Sequence, residues 1–241
     1  NTDFMVLDRP NPNGFYVDGP MLDTRFRSFV GMHRIPIVHG MTIAELARMI
    51  NQEGWLKDGM QCDYTWIACK NYTHDSLYEL PVKPSPNLPN MKSIYLYPSL
   101  CLFEGTVMSV GRGTDFPFQV FGHPDMKNAE FVFTPRSIPG ASMHPKFEGE
   151  LCKGVDLRNY PLDSLLSNPR IKLKWLKFAY ENTPVDDFFT SYFKKLSGNE
   201  TLLKQIKNGT SVRAIRGGWE EDLEQFMEKR EKYLIYEDFT K

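Results

Sequence analysis

Glu104 and Arg112 are the two side chains whose types and spacing point most directly to chemistry. Glu104 ends an apolar run at residues 100–103 and precedes Gly105; Arg112 follows in the loop Gly111-Arg-Gly-Thr114. A carboxyl set among Leu100, Leu102 and Phe103 is pushed toward the protonated form that a general acid needs, unless Arg112 pairs with it and favours the carboxylate. Gly111 and Gly113 allow the backbone to approach a ligand, Arg112 offers a planar fork for a carboxylate, and Thr114 joins them as a candidate substrate contact. An ion pair bracing a loop fits the same spacing.

A second polar group follows the first apolar run, at residues 4–7. Asp8, Arg9 and Asn11 stand where a strand gives way to Pro10, Pro12 and Asn13-Gly14, residues that end a ladder and favour a turn. At a strand terminus such side chains can hydrogen-bond several hydroxyl or amide groups of a sugar. A turn shaped by Asn11, with Arg9 paired to a carboxylate, is the plainer alternative. His39, just before Gly40, is a further candidate. His33, His74, His123 and His144 show no metal-ligand spacing, so neither a metal nor a cofactor is expected.

The elements that must position these groups can be read in outline. Residues 4–7 predict a buried strand, and residues 35–38 form a second short apolar run. Thr42-Ile-Ala-Glu45 is a capping box that opens a helix, with Ile43, Leu46, Ala47 and Ile50 as its buried stripe and an end near Gly54. Residues 63–69 predict the next strand, and the strand, helix, strand order favours a parallel sheet that binds ligands beyond its carboxyl edge. Prolines 81, 84, 86, 89 and 98 predict an extended surface segment. Beyond Asp115 short aromatic runs at 116–121 and 130–133, and a run at 151–157, give way to helical patterns at 171–181 and 200–207. A last helix starts near Gly218, its face marked by Trp219, Leu223, Phe226 and Met227. The predicted class is α/β: a parallel-sheet unit over residues 1–115, then a smaller α+β unit over 116–241.

Bulk properties narrow the function. With 29 basic against 30 acidic side chains in 241 residues, and no Lys/Arg block, nucleic acid is not an expected partner. No apolar run approaches the ~20 residues of a membrane span. Four widely spaced cysteines read as small buried side chains with at most one disulfide, not as a zinc ribbon or redox pair. Asn1 is followed almost at once by a strand, so the true N-terminus is expected to lie elsewhere or to have been removed, and no signal peptide is legible.

Taken in order, Val6-Leu-Asp-Arg-Pro-Asn-Pro12, Ser28-Phe-Val-Gly31, Ile35-Pro-Ile37, His39-Gly-Met-Thr-Ile-Ala-Glu-Leu-Ala47, Pro84-Ser-Pro-Asn87, Tyr97-Pro98, Cys101-Leu-Phe-Glu-Gly-Thr106 and Gly111-Arg-Gly-Thr114 with Pro117-Phe118 resemble successive signature blocks of the NamZ family. Gly149-Glu-Leu-Cys152, Gly154-Val155, Trp219-Glu-Glu-Asp-Leu223 and Tyr233-Leu-Ile-Tyr236 continue the match. The resemblance implies a Rossmann-like domain, of which residues 1–115 would be the C-terminal part, followed by the smaller domain. It implies an exo-β-N-acetylmuramidase of glycoside hydrolase family 171, releasing terminal β-linked N-acetylmuramic acid from the non-reducing end of peptidoglycan fragments, outside the cytoplasm. The family's Glu-His-Gly and Asp-x-Gln-Asp-Val-Gly motifs have no counterpart here, so its expected catalytic carboxylate lies outside this chain, and Glu104 is the best candidate within it. Asn13, Phe15 and His123-Pro124-Asp125 depart from the family pattern. The alternative reading is a non-catalytic cell-wall sugar binder that stacks saccharides on the aromatics of residues 116–133.

Overall fold

The apolar run at residues 4–7 builds β1 (Asp3–Leu7) in a computed structural model that describes residues 3–240. β2 (Asp18–Met21) and β3 (Pro36–Val38) pair antiparallel with each other. After α1 (Ile43–Gln52) comes β4 (Asp63–Ile67), which runs parallel to β1 from Asp3 opposite Asp63 to Leu7 opposite Ile67. The expected parallel pairing therefore forms, but β3 turns away from it. The expectation of a buried first strand fails: Phe4, Met5 and Leu7 are 51%, 61% and 67% exposed, and only Val6 is buried. Two strands cannot cover their own faces, so apolar side chains on both sides of β1 and β4 stay in contact with solvent.

The capping box forms as read: Thr42 Oγ1 accepts from Glu45 N and Glu45 Oε2 from Thr42 N. The buried stripe does not. Ala44, Glu45, Met49 and Asn51 face inward, while Ile43 is 62% exposed. The helix is turned so that Glu45 meets polar partners distant in the chain, which periodicity cannot report.

The proline-rich stretch also departs from expectation, because α2 (Met91–Leu100) forms inside it. Asn90 caps this helix, its side chain accepting from Ser93 N while Ser93 Oγ lies within reach of Asn90 N. Pro98 has no N–H to offer the carbonyl four residues earlier. That carbonyl, Ile94 O, instead accepts from Asn13 Nδ2 at 3.1 Å. Residues 101–105 continue as a buried 3-10 turn that carries Glu104.

The second half opens with β5 (Val120–His123), β6 (Phe131–Phe133) and β7 (Cys152–Asp156), an antiparallel sheet in the order β5-β7-β6. Helices α3 (Leu162–Leu166), α4 (Leu173–Asn182), α5 (Phe193–Ser197), α6 (Thr201–Lys207), α7 (Val212–Gly217) and α8 (Glu220–Glu231) follow. α4, α6 and α8 lie where the patterns put them. Trp219 and Phe226 are buried as expected, and Leu223 and Met227 partly so. One main core runs from Tyr16 and Val38 through Leu96, Phe103 and Phe121 to Ile215 and Trp219. A smaller one joins Met41 and Met49 of the first half to Phe226 and Tyr233 of the last. All four cysteines are free, and burial pushes the Cys101 and Cys152 thiols up to about 12. Among the described residues no helix is long and apolar enough to cross a membrane.

Candidate functional site

The candidate residues fall into two groups, one at the carboxyl end of β1 and one on the 3-10 turn after α2. No hydrogen bond or ion pair joins the two among the described residues.

At the end of β1 the chain turns through Pro10 and Pro12; Asp8, Asn11 and His39 are bound into the scaffold, while the buried Asn13 Oδ1 and Tyr72 hydroxyl have no hydrogen-bond partner among the described residues. Asp8 Oδ1 accepts from Ala44 N at the start of α1 (3.0 Å), where the helix dipole suits a carboxylate. Its Oδ2 accepts from the Tyr236 hydroxyl (2.7 Å), which itself accepts from Cys69 N (2.8 Å). Burial and the bond to Asp8 together push the Tyr236 hydroxyl well above its ordinary value. Asn11 Nδ2 donates to Met41 O, and Asn11 Oδ1 takes Asn13 N, so Asn11 shapes the turn. Half-buried His39 accepts from Met41 N at Nδ1 (3.2 Å), and burial and nearby Arg230 bring it down to about 4. Arg9 is exposed and has no ion-pair partner among the described residues.

Beneath these lies a pair that spacing did not single out. Glu45 and His74 are fully buried, with both Glu45 oxygens 3.0 Å from His74 Nε2. The Gly14 carbonyl, 3.1 Å from His74 Nδ1, can only accept, so Nδ1 carries a proton. Glu45 also accepts from Thr42 N and Ile235 N. Burial works against its charge, but the bonds from His74, Ile235 and Thr42 outweigh burial and hold the carboxyl below its usual range. Arg230, fully buried, donates to Gly40 O and pairs with Asp238. These contacts fasten residues 230–238 of the C-terminus to the β1 end. Glu45 was legible as a cap, but nothing near it in sequence announces His74 or Tyr236.

The second group opens onto a cavity of about 90 Å³ lined by Glu104, Met108, Ser109, Val110, Arg112 and Lys146. Arg112 donates through Nε (3.0 Å) and Nη2 (2.7 Å) to Glu104 Oε1, and lies over the Phe118 ring at 5.1 Å. Glu104 Oε2 accepts no hydrogen bond from a described residue, and the Nη1 edge of Arg112 is uncommitted. Lys146, which sequence reasoning missed, donates to the carbonyls of Glu104, Thr106 and Met108 and so ties down the backbone around Glu104. The Lys146 side chain is exposed overall, but desolvation of its ammonium lowers the proton affinity; Glu104 opposes this and Arg112 adds to it. Thr114 Oγ1 donates to Gly111 O and receives Phe116 N, holding the loop. Gly113, at φ 82°, lets the loop approach other protein: a Cβ there would sit 2.6 Å from Arg136 O and from Pro145. The aromatics of residues 116–133 do not form an open platform, since Arg158 lies 4.5 Å over Phe116 and 5.1 Å over Phe131.

Chemically, the second group offers one ionisable carboxylate with a free oxygen, one guanidinium edge and a small cavity. That suits an acid, base or nucleophile acting beside an anion-binding group, with any further carboxylate supplied from elsewhere.

Comparison with known proteins places the chain. The family model described as exo-β-N-acetylmuramidase NamZ, N-terminal, matches residues 1–92, and its C-terminal counterpart matches residues 95–236. The peptidoglycan β-N-acetylmuramidase NamZ of Bacillus subtilis (strain 168) is 40% identical over 250 residues, covering 97% of this chain; the chain spans 59% of that relative's length. The crystal structure of a DUF1343 family protein from Bacteroides fragilis NCTC 9343 superposes with a TM-score of 0.93 at 53% identity, covering 97% of this chain and 66% of that one. A second DUF1343 protein from the same organism, 22% identical, shares the fold with a TM-score of 0.77, covering 98% of this chain and 66% of its own. With both halves of one family matched in order along its length, this mixed α/β chain belongs to the NamZ exo-β-N-acetylmuramidase family.

Proposed function

We propose that this chain is part of a glycosidase that releases terminal β-linked N-acetylmuramic acid from the non-reducing end of peptidoglycan fragments. The observation that carries this reading is the 40% identity to a peptidoglycan β-N-acetylmuramidase across 97% of the chain. On this reading Glu104 supplies a carboxylate through its free Oε2, as acid, base or nucleophile, and a second carboxylate comes from the part of the relatives that this chain does not span. Arg112, with Arg9 as alternative, meets the lactyl carboxylate that distinguishes muramic acid from N-acetylglucosamine. Its Nε/Nη2 edge holds Glu104 while its Nη1/Nη2 edge faces the ligand. Asp8, Asn11, His39 and Thr114 act as substrate-side positions whose present bonds set the loops that carry them.

The same proposal makes β1 and β4 the edge of a larger Rossmann-like sheet. The exposure of Phe4, Met5, Leu7 and Ile67 on a two-stranded parallel pair supports further elements packed there. On this reading the chain divides near Asp115, which the three-stranded antiparallel β5-β7-β6 sheet beyond that point supports. Family resemblance supports an extracytoplasmic location. The reading as a sugar-binding protein without catalysis is weakened by Arg158, which covers the aromatic faces it needs.

Release of N-acetylmuramic acid from a synthetic β-muramide by the full-length protein tests the activity. Glu104→Gln should lower kcat by roughly 10²- to 10⁴-fold without loss of fold. Unchanged turnover in that variant removes Glu104 from any acid, base or nucleophile role.

A further inference from the structure

A groove of about 480 Å³ lies between the end of α3, the segment entering α4 and the helix α7. Arg170, Lys172, Lys174 and Arg216 all line it, in a chain whose formal charge is -1 overall. Asp18 is the carboxylate that reaches this cluster among the described residues. It is spent on Arg216, whose Nη1 and Nη2 bind it at 3.1 and 2.8 Å, and on Ile171 N. Arg170 and Lys174 are exposed and have no ion-pair partner among the described residues.

The cations are held in place. Lys172 Nζ donates to Ser164 O (3.2 Å) and Asn168 O (2.9 Å), Arg170 Nε donates to Asn168 Oδ1, and Lys174 Nζ sits 5.7 Å over the Tyr160 ring. Burial disfavours the Lys172 ammonium, and repulsion from Arg170, Lys174 and Arg216 adds to it, so the four charges act on one another. Asp18 offsets Arg216, but Arg170, Lys172 and Lys174 are gathered without a paired carboxylate among the described residues, a repulsion that an arriving anion relieves.

We propose that this groove binds a short acidic peptide, two or more of whose carboxylates meet Arg170, Lys172 and Lys174. The other walls match a peptide backbone: Ser164 and Asn168 supply a hydroxyl and an amide, and Val212 supplies apolar surface for side-chain methylenes. None of these residues belongs to the Glu104 or Asp8 groups, so the site stands independently of the glycosidase reading.

Titration calorimetry at low salt with tri-glutamate, tri-alanine and inorganic phosphate tests it on the full chain. Tri-glutamate should bind saturably and tri-alanine should not. Arg170→Glu and Lys174→Glu, both at exposed positions, should each weaken tri-glutamate by about 10-fold or more, and raising salt should weaken it further. Equal binding of the neutral peptide, or unchanged affinity in both variants, overturns the site. Phosphate competing as strongly as tri-glutamate overturns the peptide assignment. Circular dichroism of the variants separates lost binding from lost fold.

Discussion

The two candidate groups are both rich in polar side chains, yet they spend their hydrogen bonds differently. At the end of β1, both oxygens of Asp8, both of Glu45 and both nitrogens of His74 have partners, drawn from α1 and its cap Thr42, from Gly14, from His74 and Glu45 themselves and from the C-terminal tail. At the turn after α2, Glu104 and Arg112 satisfy each other on one side only, and the remaining oxygen and guanidinium edge stand at a cavity. A buried polar group with all its partners makes a scaffold rigid; a half-satisfied one beside space is free to meet a ligand. This contrast makes the β1 end a fastening and the Glu104 group the chemical candidate in this chain.

The sharpest way to break the comparison is at the buried pair. His74→Ala strips Glu45 of a partner where no water reaches it, so denaturant unfolding should show a loss of about 3–5 kcal/mol. A loss near zero would mean the β1 end is not a fastening. The corresponding change in the open group should spare stability and cost function. Arg112→Ala should lower kcat/KM on a muramide by about 10- to 150-fold, the equivalent of a charged hydrogen bond, and cost a glucosaminide much less. Equal losses on the two substrates would leave Arg112 as no more than the partner of Glu104.

A third contrast lies in pH. His39 titrates near 4 when folded, below its unfolded value near 6.5, so the unfolded chain binds the extra proton first as pH falls. Stability from this group is complete above the unfolded value and is lost as pH drops from about 6.5 to 4, at no more than about 1.4 kcal/mol per pH unit. His39→Gln should flatten that part of the stability profile; an unchanged slope would place the titration elsewhere. The smallest effect is expected at Asn13→Ala, which leaves Ile94 O without its donor beside Pro98 and should cost about 0.5–1.5 kcal/mol in the same unfolding measurement.

By itself the sequence determined what depends on neighbours a few residues away. The Thr42–Glu45 box, the strands read at 4–7 and 63–69, and the helices that became α4, α6 and α8 were all legible, because caps and periodicity are local. The approach of Glu104 to Arg112 was legible too, eight residues apart across a glycine loop. Tertiary structure alone decided the rest. Tyr236 reaches Asp8 across 228 positions and Ile235 reaches Glu45 across 190, and those contacts rotate α1 so that Glu45, not Ile43, is buried. The carbonyl that Pro98 orphans in α2 is taken by Asn13, 81 positions away. The physical reason is the same in each case: desolvation and hydrogen-bond completion are settled by whichever groups the fold brings together, and their separation along the chain leaves no local pattern to read.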